Sequence, residues 1–303
     1  MEQSFINYSH KHTQIDQNIL NSNILECKQR LQSKYPDPVE LALRLKLLEE
    51  LTQFDLGQFL LINRGLNGYW TDYVINYPRE QIGELHELEQ RLLRSKPFYA
   101  TYERQQIFKK INQTKVENGA HLAAIPCGLM SELLDLDFSQ VNELHITGID
   151  LDNDSLLLSQ QKYAALNLTP KVNYLKQDAF SLTINNHFDL ISSNGLTIYL
   201  ADDKDVLLLF TKFYEALKIG GVLVTSFLTY PSLFAELSEQ TAGEYNDDDH
   251  AARIIFGEIL EVTWSCFRTT EQISGLLKQA GFSNIEIHGD SKYIFPTCVA
   301  SKY

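Results

Sequence analysis

Apolar positions recur every three to four residues through the first third of the chain, then give way to short continuous apolar runs. The first pattern belongs to helices that bury one stripe, the second to strands covered on both faces. Residues 15 to 115 therefore predict consecutive helices with short breaks. Asp37-Pro38-Val39-Glu40 opens the clearest of them: Asp37 can accept orphan N–H groups, Pro38 suits the first helical position, and Glu40 falls at the third. The leucine-dense run that follows continues to Ile62, with Leu43, Leu47, Leu51 and Phe54 on one stripe that needs a partner surface. Gly65-Leu66-Asn67-Gly68 breaks the pattern, and further helices are expected over Tyr69 to Asn76, Glu80 to Arg94 and Pro97 to Asn112. No strand signal appears before residue 119.

Beyond that point strands are predicted at Ala120 to Ile125, Leu144 to Asp150, Val172 to Lys176, Phe188 to Ser192 and Gly221 to Phe227. Helices are expected between and after them at Ser131 to Phe138, Asn153 to Asn167, Asp203 to Leu217 and Thr270 to Ala280. Strands alternating with amphipathic helices wind into a doubly wound, mostly parallel α/β sheet, whose ligand crevice lies at the carboxyl ends of the strands. The expected organisation is an all-helical N-terminal cap over 1–115 ahead of an α/β domain over 116–303. There is no internal repeat and no low-complexity tract.

Composition narrows the function classes. With 44% hydrophobic and 21% charged residues the chain is neither of the disordered nor of the collagen-like kind. A formal charge of −13 repels phosphate backbones, and no Lys/Arg-rich run offers a local exception, so nucleic acid is not an expected partner. The four cysteines, Cys27, Cys127, Cys266 and Cys298, lie far apart without a CxxC pair, which suggests neither zinc nor a disulfide framework and fits a reducing cytoplasm. Met1 to Gln17 is polar, and no apolar stretch approaches the roughly 20 residues that cross a bilayer, so neither a signal peptide nor a membrane span is expected.

Candidate chemistry collects at the predicted strand ends. In His121-Leu-Ala-Ala-Ile-Pro-Cys-Gly-Leu-Met130, Gly128 lets the backbone approach a ligand above a helix N-terminus. Ile146-Thr-Gly-Ile-Asp150 then ends a buried strand in a carboxylate at the interval of about 20 residues that dinucleotide sites use to hold a ribose. A carboxylate there can accept both ribose hydroxyls; capping of the next helix falls more naturally to Asp152 and Asn153. Val172-Asn-Tyr-Leu-Lys-Gln-Asp178-Ala-Phe180 is a strand ending in an acid, where turn capping is the alternative role. Phe188-Asp-Leu-Ile-Ser-Ser-Asn-Gly-Leu-Thr-Ile-Tyr199 carries a central strand toward the crevice. Phe213 to Val224 reads helix, Gly220-Gly221 turn, strand; Thr269 to Phe282 reads as a helix with a Thr269/Gln272 capping box and a Gly281 cap. Ile285 to His288 and Ile294 to Ala300 complete a pair of antiparallel end strands.

Taken in order, these segments resemble the class I S-adenosylmethionine-dependent methyltransferases over roughly residues 116 to 303. The resemblance implies a Rossmann-like sheet of seven strands, S-adenosylmethionine as cofactor and a small-molecule acceptor. It places Pro126, Cys127 and Gly128 in the first cofactor loop, Asp150 and the adjoining Leu151 at the ribose, Asp178 and Ala179 at the adenine, and Ser193, Asn194 and Gly195 at the methionine end. The first loop departs from the family: Ala124 stands where an acid is usual, and Pro126 and Met130 replace the outer glycines. Ser193-Asn194-Gly195-Leu196 also differs from the Asn-Pro-Pro-Tyr form associated with amide and adenine nitrogens, which argues against those acceptors.

Aromatic and polar residues of the cap concentrate at Gly65 to Tyr73 and Phe98 to Arg104, the expected source of acceptor selection. With the usual acid missing, Arg104 could meet the cofactor's carboxylate directly by a charge-assisted bond, with Tyr102 beside it; packing of the cap on the sheet is the competing role for Tyr99, Tyr102 and Arg104. Trp70 and Tyr73 fit core better than pocket. Residues 230–264 are expected to form a lid insertion. Glu244-Tyr-Asn-Asp-Asp-Asp-His250 within it has metal-binding residue types, yet crowded acids in a loop are usually solvated, and no metal is expected. The eight histidines show no HExxH spacing, and GxSxG and P-loop signatures are missing. Two rivals stay open: a catalytically silent methyltransferase-like binding protein, and an NAD(P)-dependent oxidoreductase.

Overall fold

A computed structural model describes residues 15–166, 168–230, 247–262 and 266–303. The cap begins with α1 (Gln17–Lys34) and α2 (Pro38–Leu51), the latter started by Asp37 accepting from the amides of Val39 and Glu40. The leucine run to Ile62 is not one helix. It turns a corner after Leu51 and resumes as α3 (Asp55–Asn63), because Gly57 passes so close that a Cβ there would sit 2.2 Å from the Leu51 carbonyl oxygen. Leu47, Leu51 and Phe54 of the expected stripe are buried, while Leu43 is 40% exposed. After α4 (Gly68–Asn76), the helix expected over Glu80 to Arg94 divides as well, into a 3-10 turn (Arg79–Glu84) and α5 (Glu87–Arg94). His86 separates them, accepting from the Leu88 amide at 3.2 Å and stacking on Phe54.

The long α6 (Lys96–Gln113) joins the two layers: Phe98 enters the cap core and Phe108 the core under the sheet. The strands are β1 (His121–Ala124), β2 (His145–Asp150), β3 (Lys171–Lys176), β4 (Phe188–Ser193), β5 (Leu217–Ser226), β6 (Ser283–His288) and β7 (Thr297–Ser301). They form one seven-stranded sheet in the order β3-β2-β1-β4-β5-β7-β6, with β7 antiparallel to both neighbours and the remaining pairs parallel. Its helices are α7 (Ser131–Leu134, half the length the sequence predicts), α8 (Asn153–Leu166), α9 (Asp203–Ala216) and α11 (Thr270–Gln279), the last started by the Thr269/Gln272 capping box. An antiparallel strand inserted beside β5 departs from the 3-2-1-4-5-6 order of dinucleotide-binding sheets, which weighs against the oxidoreductase reading. The strand order reverses between the parallel neighbours β1 and β4, so a ligand crevice belongs outside their carboxyl ends.

Within the expected lid, α10 (Asp247–Ile254) runs into a π turn (Ile255–Ile259), and Ala251 to Leu260 pack into the core of the cap with Leu31, Leu48, Leu56 and Leu60. Asp248 pairs with Arg91 at 3.1 Å, Asp249 with Lys96 at 3.3 Å and Glu258 with Arg44 at 2.6 Å. Two acids of the 244–250 run thus fasten α10 to the cap, and no group among the described residues could hold a metal ion. Glu244, Tyr245 and Asn246 lie outside the described residues.

Candidate active site

Two groups of residues meet at the crevice. The first is built on the loop leaving β1, where Gly128 (φ +48°) and Met130 (φ +54°) both take left-handed backbone. The Gly128 amide donates to Asp150 Oδ2 at 3.0 Å, the Asp152 amide to Asp150 Oδ1 at 3.0 Å, and the Cys127 amide to the Ile149 carbonyl at 2.9 Å. Asp150 therefore pins the loop to the end of β2, and its burial pushes the carboxyl above its usual range. The cap of α8 is Asp152, which accepts from the amides of Asp154 and Ser155 and from the Ser155 hydroxyl. Leu151 is 60% exposed. Burial drives the Cys127 thiol far up, which keeps it protonated and inert.

The cap bears on this loop. A Cβ on Gly68, at the start of α4, would stand 3.0 Å from Gly128 Cα and 3.0 Å from Ser155 Oγ. One turn on, Asp72 accepts from the Ser131 hydroxyl and from Lys162 Nζ at 3.1 Å, and Lys162 also reaches Ser131 Oγ at 2.7 Å and Asp135 at 3.5 Å. Cap helix, loop and α8 are thereby joined at one polar cluster.

The second group surrounds the end of β4. Gly195 (φ +84°) donates its amide to Ser226 Oγ at 3.0 Å, and a Cβ there would meet Arg104 Nη1 at 3.6 Å. Arg104 is 5% exposed and lies over the Phe295 ring, with Nε and Nη1 lacking any partner; burial pushes its guanidinium down to about 10. Its neighbour Gln105, 1% exposed, accepts from Asn194 Nδ2 at 3.3 Å and leaves Nε2 unpartnered. Asn194 Oδ1 and Ser193 Oγ are buried and unpartnered as well. Deeper along α6, Asn112 Nδ2 donates to the Glu132 carbonyl at 3.2 Å, and Ser192 Oγ to Glu132 Oε1 at 3.4 Å. The Glu132 carboxyl has no ion-pair partner among the described residues, and burial pushes it up to about 7.

The remaining expected residues stand outside these groups. Asp178 starts the short turn Ala179–Ser181, accepting from the Phe180 amide at 2.9 Å, with Ala179 buried behind it. Tyr102 packs in the cap under Arg79, whose guanidinium lies 4.7 Å from its ring and binds the carbonyls of Val74 and Leu93. Pro126 precedes the pinned Cys127-Gly128 pair through a cis peptide bond with Ile125. Structure thus unites Cys127, Gly128 and Asp150 at one end and Arg104, Ser193, Asn194 and Gly195 at the other. It adds Gln105 and Glu132, which carry no motif; their only sequence signal is a polar side chain on the otherwise apolar face of a helix.

The Methyltransferase domain family matches residues 127–221. No curated protein matches the chain. Among solved structures, a possible exported protein from Bordetella parapertussis is 33% identical, with a TM-score of 0.87 over 96% of this chain and 97% of that one. The S-adenosylmethionine-dependent methyltransferase SibL in its apo form aligns at 14% identity and a TM-score of 0.52 over 88% and 77% of the two chains. The CurJ carbon methyltransferase aligns at 18% identity and 0.50 over 91% and 70%. The last two are likenesses of fold.

Proposed function

The chain belongs to the class I S-adenosylmethionine-dependent methyltransferases, enzymes that transfer a methyl group from that cofactor, and from this premise we propose that its acceptor is a small molecule. The observation that carries the reading is the Arg104 guanidinium, buried beside Gly195 with Nε and Nη1 unpartnered and no salt bridge among the described residues. An isolated buried cation is costly by several kcal/mol, and a ligand carboxylate relieves that cost. The residues therefore fit the cofactor: Arg104 would hold its carboxylate, Ser193 and Asn194 its methionine end, Asp150 and Leu151 its ribose, Gly128 the turn above it, and Asp178 with Ala179 the adenine side.

When bound, S-adenosylmethionine supplies an electrophilic methyl carbon on a sulfonium that leaves without protonation. The chain's own task is to align the acceptor and keep water out. The cap supports a small acceptor, since Gly68 and the Asp72–Lys162–Ser131 cluster close the cap directly against the cofactor loop. A surface of charge −13 disfavours nucleic acid further. Residence in the reducing cytoplasm is part of the same proposal, supported by four free cysteines.

Calorimetric titration with S-adenosylmethionine, S-adenosylhomocysteine and NADH tests the reading. Saturable binding of the two adenosyl ligands is expected, and binding of NADH alone, or of none, would overturn it. Asp150→Ala removes both the loop pin and the ribose acceptor, and should weaken S-adenosylmethionine by at least about tenfold. Unchanged affinity in the same titration would displace Asp150 from the site.

A further inference from the structure

We propose that Gln105, which the cap helix contributes, selects the amino-acid end of the cofactor: with Asn194 and Arg104 it forms a receptor for an α-ammonium carboxylate, an inference that rests on the methyltransferase reading above. A primary amide offers two N–H donors and one carbonyl acceptor. The bond from Asn194 Nδ2 to Gln105 Oε1 uses one function of each and leaves the other of each free. What stays buried and unpartnered is a donor, Gln105 Nε2, and an acceptor, Asn194 Oδ1. Exchanging the ends of both amides would still leave one NH2 and one carbonyl free, with the roles of Gln105 and Asn194 exchanged, so the pair offers a donor and an acceptor whichever way it is drawn.

Adjacent along the chain to each of these is the guanidinium with two unpartnered nitrogens, or its support: Arg104 precedes Gln105 on α6, and Gly195, against which that guanidinium packs, follows Asn194. Two donor groups and one acceptor are therefore supplied side by side along α6 and the end of β4. A carboxylate takes bonds from Arg104 and Gln105, and the ammonium on the same carbon gives one to Asn194. A ligand end with no N–H or O–H to give, such as a carboxylate alone, would leave Asn194 Oδ1 without a donor, and buried polar groups left unpaired are what sets discrimination of this kind. Because Arg104 and Gln105 sit on the helix shared by cap and sheet, reading the amino-acid end also fixes the cap over the crevice.

The test is calorimetric titration of the full-length protein with S-adenosylhomocysteine and with 5′-methylthioadenosine, which keeps the adenosyl thioether and lacks the amino acid. Gln105→Leu removes both amide functions. Gln105→Glu keeps an acceptor for Asn194 and turns the free donor into a carboxylate that repels the ligand's own. S-adenosylhomocysteine is expected to bind about tenfold more weakly to Gln105→Leu, and more weakly still to Gln105→Glu, with methylthioadenosine unaffected by either. Equal weakening of both ligands would make Gln105 a support of the fold only, and no weakening would move the amide pair away from the amino-acid end. Failure of the wild-type protein to bind either nucleoside would instead overturn the methyltransferase reading on which the proposal rests.

Discussion

Arg104→Met is expected to make the protein more stable and to remove its grip on S-adenosylmethionine at the same time. The guanidinium is 5% exposed with two nitrogens unpartnered, and its desolvation outweighs the attraction of Tyr199, Asp290 and Glu132. Methionine keeps much of the unbranched volume and adds no polar group, so it can fill the space over Phe295. Replacing whole buried ion pairs by apolar side chains of similar volume stabilises some other proteins by about 1–4 kcal/mol, and a gain within that range here would raise the melting temperature by a few degrees. The bond lost to the ligand is of the opposite sign. Removing one partner of a buried charge pair costs about 2–5 kcal/mol, which is roughly thirtyfold to several thousandfold in affinity. Thermal melts without ligand and calorimetry with ligand check the two halves separately. A variant that melts lower and binds as well as wild type would reduce Arg104 to packing, the role the sequence left open for it.

How much of this was legible beforehand depends on how local each signal is. The strands announce themselves, because a run such as Leu-His-Ile-Thr-Gly-Ile-Asp150 is short, uncharged and rich in β-branched residues until it ends in a carboxylate. Helix starts were equally plain at Asp37-Pro38 and at Thr269, where the donors and acceptors that close each terminus lie within three residues. The corner after Leu51 was hidden by leucine periodicity that runs through it; its cause, the close pass of Gly57, exists only once the two helices cross. The place of α10 was illegible for a similar reason, since Glu258 finds Arg44 across 214 residues. Within the site, Asp150 and Gly128 follow from spacing. Gln105 and Asn194 meet across 89 residues, and the lack of partners that singles them out is a property of the folded interior, not of any motif.

Glu132→Gln should stabilise the protein above pH 7 and leave it nearly unchanged at pH 5. Burial is the largest influence on this carboxyl and raises it from 4.5 to about 7, against opposing pulls from its own amide, Lys162 and the Ser192 hydroxyl. A folded-state value above the unfolded one means that, between the two, the folded chain holds a proton that the unfolded chain releases. The stability this group lends is therefore full below pH 4.5, declines as pH rises, and is gone once pH passes 7. A shift of this size corresponds to about 3 kcal/mol at most. Glutamine has no proton to lose and can still accept from Ser192, so it escapes the decline. Other titrating groups, such as His121, held below its usual value by burial and by His187, His145 and Lys218, are present in both proteins and cancel in the difference. Melting temperatures of variant and wild type, measured side by side from pH 5 to pH 8, should lie closest at the acid end, diverge between pH 5 and about pH 7, and hold a constant gap above that. A constant offset across that range would show that Glu132 acts through shape and hydrogen bonding alone, and that its carboxyl carries its charge at little cost beneath the cofactor loop.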